Sequence, residues 1–226
     1  MAQFRWIIMS SFLMLLVQFT EAAVTHSSST VRVGDEVTLS CGNVTDDQEK
    51  CNSTDWVFTR SGNGVILFQH GQIQKGAKAK SDRLSVTEKC SLVIKKVTLE
   101  DAGAYVCMQL RSGQHVVFLN VVTISPSSPV TEKKNDDSVT LNCSVLCGGS
   151  FKCFHTVKWL YEGDENDLKT TELNSSATVT FTTSHLYHKS EYYKLLKCAV
   201  THYTKHVYLF PFSPPQSPGE NMMSCL

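Results

Sequence analysis

One heptapeptide occurs twice in this chain, altered at two places. "DEVTLSC" (Asp35 to Cys41) returns as "DSVTLNC" (Asp137 to Cys143), 102 positions further on. Trp56 returns as Trp159 and Cys107 as Cys198, 103 and 91 positions on. A repeat of that period divides the 226 residues into two units of about 100 residues each, the second shortened between its tryptophan and its later cysteine. Inside the repeat, Val37, Leu39 and Cys41 alternate with Glu36, Thr38 and Ser40, and Val139, Leu141 and Cys143 do the same. A period of two is the signature of a strand buried on one face. "TVKWLY", "ATVTFTT", "LLKCAV" and "HVYLF" continue it, while helical periodicity is almost absent. The chain is therefore expected to be all-β.

Before the first unit the pattern is that of a targeting segment. Arg5 precedes an apolar run from Trp6 to Phe19, and Thr20 and Ala22 are small residues suited to cleavage after Ala22. About 14 apolar residues are too few to cross a bilayer core, which needs about 20. Val116 to Ile124 is too short as well, so no membrane span is expected. Nine cysteines after a signal peptide point to disulfides formed in an oxidising compartment. Asn43, Asn52, Asn142 and Asn174 each head a glycosylation sequon. The formal net charge is zero, which argues against a nucleic-acid partner, since phosphate binding needs a basic surface. The expected location is extracellular, or the cell surface should a membrane segment lie outside this sequence.

"SPSSP", Ser125 to Pro129, has the composition of a short, stiff connector. Asn63-Gly64, between two apolar runs, reads as a hairpin turn. The organisation expected is a signal peptide over 1–22, one domain over 23–124, a linker over 125–129, a second domain over 130–212 and a flexible tail over 213–226.

The order Cys–Trp–Cys, with a tyrosine two before the second cysteine, resembles the immunoglobulin superfamily. Cys41, Trp56, Leu92, Asp101, Gly103, Tyr105 and Cys107 match its variable-type domain. The resemblance implies a β-sandwich in which Cys41 and Cys107 join facing sheets with Trp56 packed against them. It also implies that Tyr105 turns its hydroxyl back onto the backbone, that Asp101 caps the same corner and reaches Arg83, and that Gly103 lets the chain turn tightly. The second copy keeps Cys143, Trp159 and Cys198 but has Leu196 in place of the corner tyrosine. Its shorter spacing is that of a constant-type domain. Arg111 to Val121 lacks the Phe-Gly-x-Gly of rearranged antigen receptors, and the arrangement is similar to two-domain leukocyte receptors of fish.

The remaining cysteines divide by neighbourhood. Cys51 and Cys90 are assigned to an additional disulfide in the first domain. Cys147 and Cys153 are assigned to a small loop in the second, the alternative being a zinc site with His155, which an oxidising compartment disfavours. Cys225 is left over, free or bonded to a second copy. His185, His188, His202 and His206 read as solvated surface residues. No nucleophile–histidine–acid order and no phosphate loop stand out, so neither catalysis nor a cofactor is expected.

Binding is left to a surface. With Cys41, Trp56, Tyr105 and Cys107 inward, alternation turns Val57 and Thr59, Val106, Met108 and Leu110, and Val116 and Phe118 outward. That stripe is mostly apolar, and exposed apolar patches mark interfaces. Arg111 to His115 and Ser61 to Gly64 are expected to rim it. The reading is an extracellular recognition protein, possible secreted form of a membrane receptor included, with a protein ligand or a cell-surface protein as its partner. The competing reading is a self-associating adhesion or structural protein that pairs through this face or through Cys225.

Overall fold

Burial alternates along the strands as the side-chain period demands. In β8 (Gly103–Gln109) Tyr105 and Cys107 are buried while Ala104, Val106 and Met108 are half-buried. The computed structural model describes residues 24–42, 51–60, 62–77, 80–109, 113–126, 138–149, 153–163, 168–182 and 195–212. These are all-β with three short 3-10 turns, and they bury two hydrophobic cores. The signal segment, Asn43, Leu110, Arg111, His185, His188, the tail and Cys225 lie outside the described residues.

The first core sits between two sheets. One joins β2 (Val37–Leu39), β7 (Leu92–Ile94) and β6 (Leu84–Val86). The other runs β9 (Gly113–Pro126), β8, β3 (Thr54–Arg60), β4 (Asn63–Gln69) and β5 (Gln72–Ile73), with β1 (Val24–Arg32) added in parallel along β9. Leu39, Leu92 and Ile94 from one side meet Trp56, Tyr105 and Leu119 from the other. Each such side chain contributes about 1.5–3 kcal/mol when fully buried. Disulfides Cys41–Cys107 and Cys51–Cys90 pin this unit, and the Trp56 indole N–H donates to Cys90 O at 2.9 Å.

The second core repeats the device. β10 (Ser138–Leu146), β13 (Ser176–Thr182) and β12 (Leu168–Leu173) form one layer with the end of β9. β11 (Thr156–Tyr161), β14 (Leu196–Thr201) and β15 (Val207–Pro211) form the other. The Cys143–Cys198 disulfide joins the layers, and the Trp159 indole donates to Ala177 O at 2.9 Å.

β9 serves both units. Gly113 to Leu119 pairs with β8, and Val121 to Pro126 pairs with β10. β1 occupies the other edge of β9 as far as Val122, so β8 and β10 lie end to end along one edge. Val121 belongs to the first core and Val122 to the second. Ser125 and Pro126, assigned by composition to a connector, are the last residues of this strand and pair with Asn142 and Leu141.

Two local readings change. Arg60 pairs with Asn63 and Gly62 takes φ +93°, so Asn63-Gly64 opens β4 instead of forming the hairpin turn. Gly103 has no left-handed backbone to accommodate. A Cβ there would stand 2.3 Å from the Phe58 ring, so its role is close packing rather than turning.

At the corner before β8, Thr98 and Asp101 form a reciprocal cap on a 3-10 turn. Tyr105 Oη donates to Asp101 O at 2.8 Å. Arg83 holds the fully buried Asp101 carboxylate with two bonds, at 2.8 and 3.1 Å, and Lys80 Nζ stands 3.0 Å from it. Burial by itself pushes the Asp101 carboxyl up. The bonds from Arg83, Thr98 and Lys80 outweigh that and hold it at about 2. Lys80 also lies 3.7 Å over the Phe58 ring. The corner is scaffold, and Lys80 is the member that sequence reasoning missed.

Candidate functional site

The outward residues of the first domain fall into cross-strand rows. Val57 pairs with Val106, Val106 with Val116, and Val57 with Ile66 on its other side. Ile66, Val57, Val106 and Val116 thus form one apolar row across β4, β3, β8 and β9. The parallel register extends it to His26. A second row runs Gly64, Thr59, Ala104, Phe118 and Ser28. Met108 lies a row above, between Asp55 and Gln114. Residues opposite each other in a ladder share a face, so these side chains stand together. Ile66 is 43% exposed, and the valines, Thr59, Met108 and Phe118 are half-buried by their own neighbours.

Ile66 was not singled out from the sequence. Its strand carries two consecutive β-branched residues, and the register shift between Trp56 and Val57 decides which of them faces outward. His115, expected on the rim, lies within β9 opposite Cys107. It therefore shares the inward face, where its ring meets Thr25 Oγ1 at 2.6 Å and Ser27 Oγ at 2.9 Å. Burial pushes its imidazole below the ordinary value, and His26 adds to that.

Phe118 ends the face at a cleft. Its ring stacks on His26, and both border a cavity of about 500 Å³ between the domains. The far wall belongs to the second domain: Phe154, His155, His202, Tyr203, His206 and Tyr208. Phe154 and Tyr203, 60% and 70% exposed, meet edge to face at its mouth. His202 was expected on the surface, yet it is buried, because it folds back from the β14–β15 turn against His155 and Ser28. His206 is exposed. Burial in the cleft depresses both His155 and His202. His155 reaches about 4, with His202 as the second cause.

Cys147, Cys153 and His155 present donor atoms within 4.8 Å of one another. Cys147 and Cys153 are joined to each other, so no thiolate is offered to a metal and the zinc alternative loses its ligands.

Three sequon asparagines are described. Asn52 and Asn174 are exposed at turns, and Asn142 is half-buried on β10 between β9 and β13. Among the described residues no helix is long and apolar enough to cross a membrane.

A two-layer sandwich pinned by a buried disulfide beside tryptophan, with a five-stranded sheet and a parallel edge strand, defines an immunoglobulin-type variable domain. In agreement, residues 24–127 match the immunoglobulin V-set domain. The chain is also 25% identical over 154 residues to a tapasin-related protein of Pongo abelii, covering 65% of this chain and 32% of that protein. It thus spans about a third of that relative's length.

Proposed function

We propose that this chain is an extracellular, glycosylated recognition protein that binds a protein partner through the outer face of its first domain. The observation that supports it is the apolar row Ile66, Val57, Val106 and Val116, laid across four strands of a V-set domain and flanked by Met108 and Phe118. An apolar row this continuous on an exported domain is suited to contact with another protein. The four-plus-three strand arrangement of the second unit favours a constant-type spacer, and the resemblance to leukocyte receptors favours a role in immune recognition. Four disulfides suit an oxidising environment, and the exposed turns that carry Asn52 and Asn174 suit glycan attachment.

The test uses the secreted chain displayed as a tetramer on a panel of cells. Ile66→Asp and Met108→Asp are expected to abolish staining while secretion and melting temperature stay unchanged. Staining that survives both substitutions sinks the proposal. Light scattering across concentrations separates a foreign partner from a second copy of this chain, which the same row is also able to meet.

A further inference from the structure

Gly148, next to Cys147 of the Cys147–Cys153 disulfide, is docked on the first domain through a set of hydrogen bonds whose directions can be worked out. Gly148 is pressed so close that an added Cβ would stand 2.3 Å from Leu119 O and 2.4 Å from Gly103 O. Its backbone N–H is a fixed donor, and it donates to Asn120 Oδ1 at 3.1 Å. That orients the Asn120 amide. Nδ2 then faces Thr30 Oγ1 at 3.3 Å and His155 Nε2 at 3.5 Å. An N–H aimed at Nε2 makes that nitrogen an acceptor, so the imidazole proton sits on Nδ1. Nδ1 points at the sulfurs of Cys147 (3.2 Å) and Cys153 (3.6 Å).

His202 is constrained in the same manner. Thr204 N–H donates to its Nδ1 at 3.4 Å, which leaves the proton on Nε2, toward Ser28 Oγ at 3.4 Å. The two rings are 4.9 Å apart. The other titratable groups lining the cleft around them are His26 on β1, Tyr203 and His206 on the β14–β15 turn, and Tyr208 on β15, and the Lys205 backbone N–H donates to His202 O. No carboxylate lines the cleft among the described residues.

A second proton on His155 has no place in this arrangement. It would put N–H at Nε2 against the N–H of Asn120. Turning the amide over moves the conflict to Gly148, whose N–H would then face another donor. Every orientation leaves two donors opposed, and a buried donor without an acceptor is destabilising. With no acid nearby, the new charge is uncompensated as well. We propose that this contact is an acid-released latch, in which protonation of His155 breaks the Gly148–Asn120 bond and frees Cys147 to Gly149 from the first domain.

Hydrogen exchange on the intact secreted chain tests this. His155 is held at about 4 when docked and returns toward its ordinary 6.5 when released. Opening is therefore expected to rise about 25-fold between pH 7.4 and pH 5, after correction for intrinsic exchange. The rise should appear in a peptide covering Cys147 to Phe154 and be absent from one covering Leu196 to Thr201 in β14. His155→Phe, which has no proton to gain, is expected to show no response. Asn120→Asp should reverse it, because a carboxylate accepts from both Gly148 and a protonated Nε2. A wild-type loop whose corrected exchange is the same at both pH values overturns the latch. So does a response that persists in His155→Phe, and so does loosening in β14 to the same extent as in the loop.

Discussion

The two domains use the same tryptophan and disulfide but close their corners by different chemistry. In the first, Asp101 gathers Arg83, Lys80, Thr98 and the Tyr105 hydroxyl into one buried charged knot. In the second, the residue two before the cysteine is Leu196, fully buried in apolar surroundings, whose backbone carbonyl accepts from Phe212 N at 3.0 Å. The polar contacts of that domain include the ion pairs Lys158–Glu172 and Lys197–Glu162 on or beside its own strands, and the cluster of His155 and His202 at its junction with the first. The comparison teaches that the sandwich needs the disulfide and the indole bond, whereas its corner can be closed by ions or by hydrocarbon. The first domain holds itself together. The second adds contacts to its neighbour, from His155 to Asn120 and from His202 to Ser28.

The largest expected effect breaks the element that both domains share. Replacing Cys41 and Cys107 by alanine opens a link across 66 residues and should cost the first domain about 4 kcal/mol, read as a drop in its unfolding midpoint. The second domain, with its own Cys143–Cys198 bond, should keep its transition. A common drop in both would mean that the two cores melt as one.

Next in size is the charged knot. Asp101→Asn leaves Arg83 and Lys80 facing a neutral amide and should cost about 3 kcal/mol in denaturant titration. The carboxyl lies at about 2 in the fold against 3.8 in the open chain. Its contribution is therefore complete above pH 3.8 and is lost as pH falls toward 2, an acid step of about 2 kcal/mol. That step should vanish in Asp101→Asn.

Smallest, and sharpest for the comparison, is Leu196→Tyr. It supplies the tyrosine that the second domain lacks, without the aspartate turn that receives its hydroxyl in the first. The ring overfills an apolar site, so the substitution should destabilise by about 2 kcal/mol in denaturant titration. Stabilisation would show that an acceptor is already waiting there.

How much of this was readable in advance follows the same division. Asp101, Tyr105 and Cys107 stand close together in the chain and combine rare side chains at set intervals, so a single stretch carries their meaning, and Cys41 and Trp56 complete the order upstream. Lys80 reaches the knot from a separate 3-10 neighbourhood, and a lysine in a polar segment announces nothing. His202 misled for another reason. Its burial is supplied by His155, just before β11, and by Ser28 on β1, which meets it only where the two domains join. The β3–β4 turn was misplaced because two glycine dipeptides stand side by side, and the ladder of β3, set by Trp56 and Phe58 facing inward, chooses the earlier one. The continuous β9 was hidden by its own prolines and serines, which read as a connector although Ser125 and Pro126 pair with β10.

That strand has a mechanical consequence. Fourteen residues without a break form a rod about 45 Å long, and both domains hang on its edges. A pull applied to one end is carried along the rod's axis, so the ladders on either side resist in shear rather than being unzipped bond by bond. A molecule built this way behaves under load as one stiff lever, not as two beads on a string.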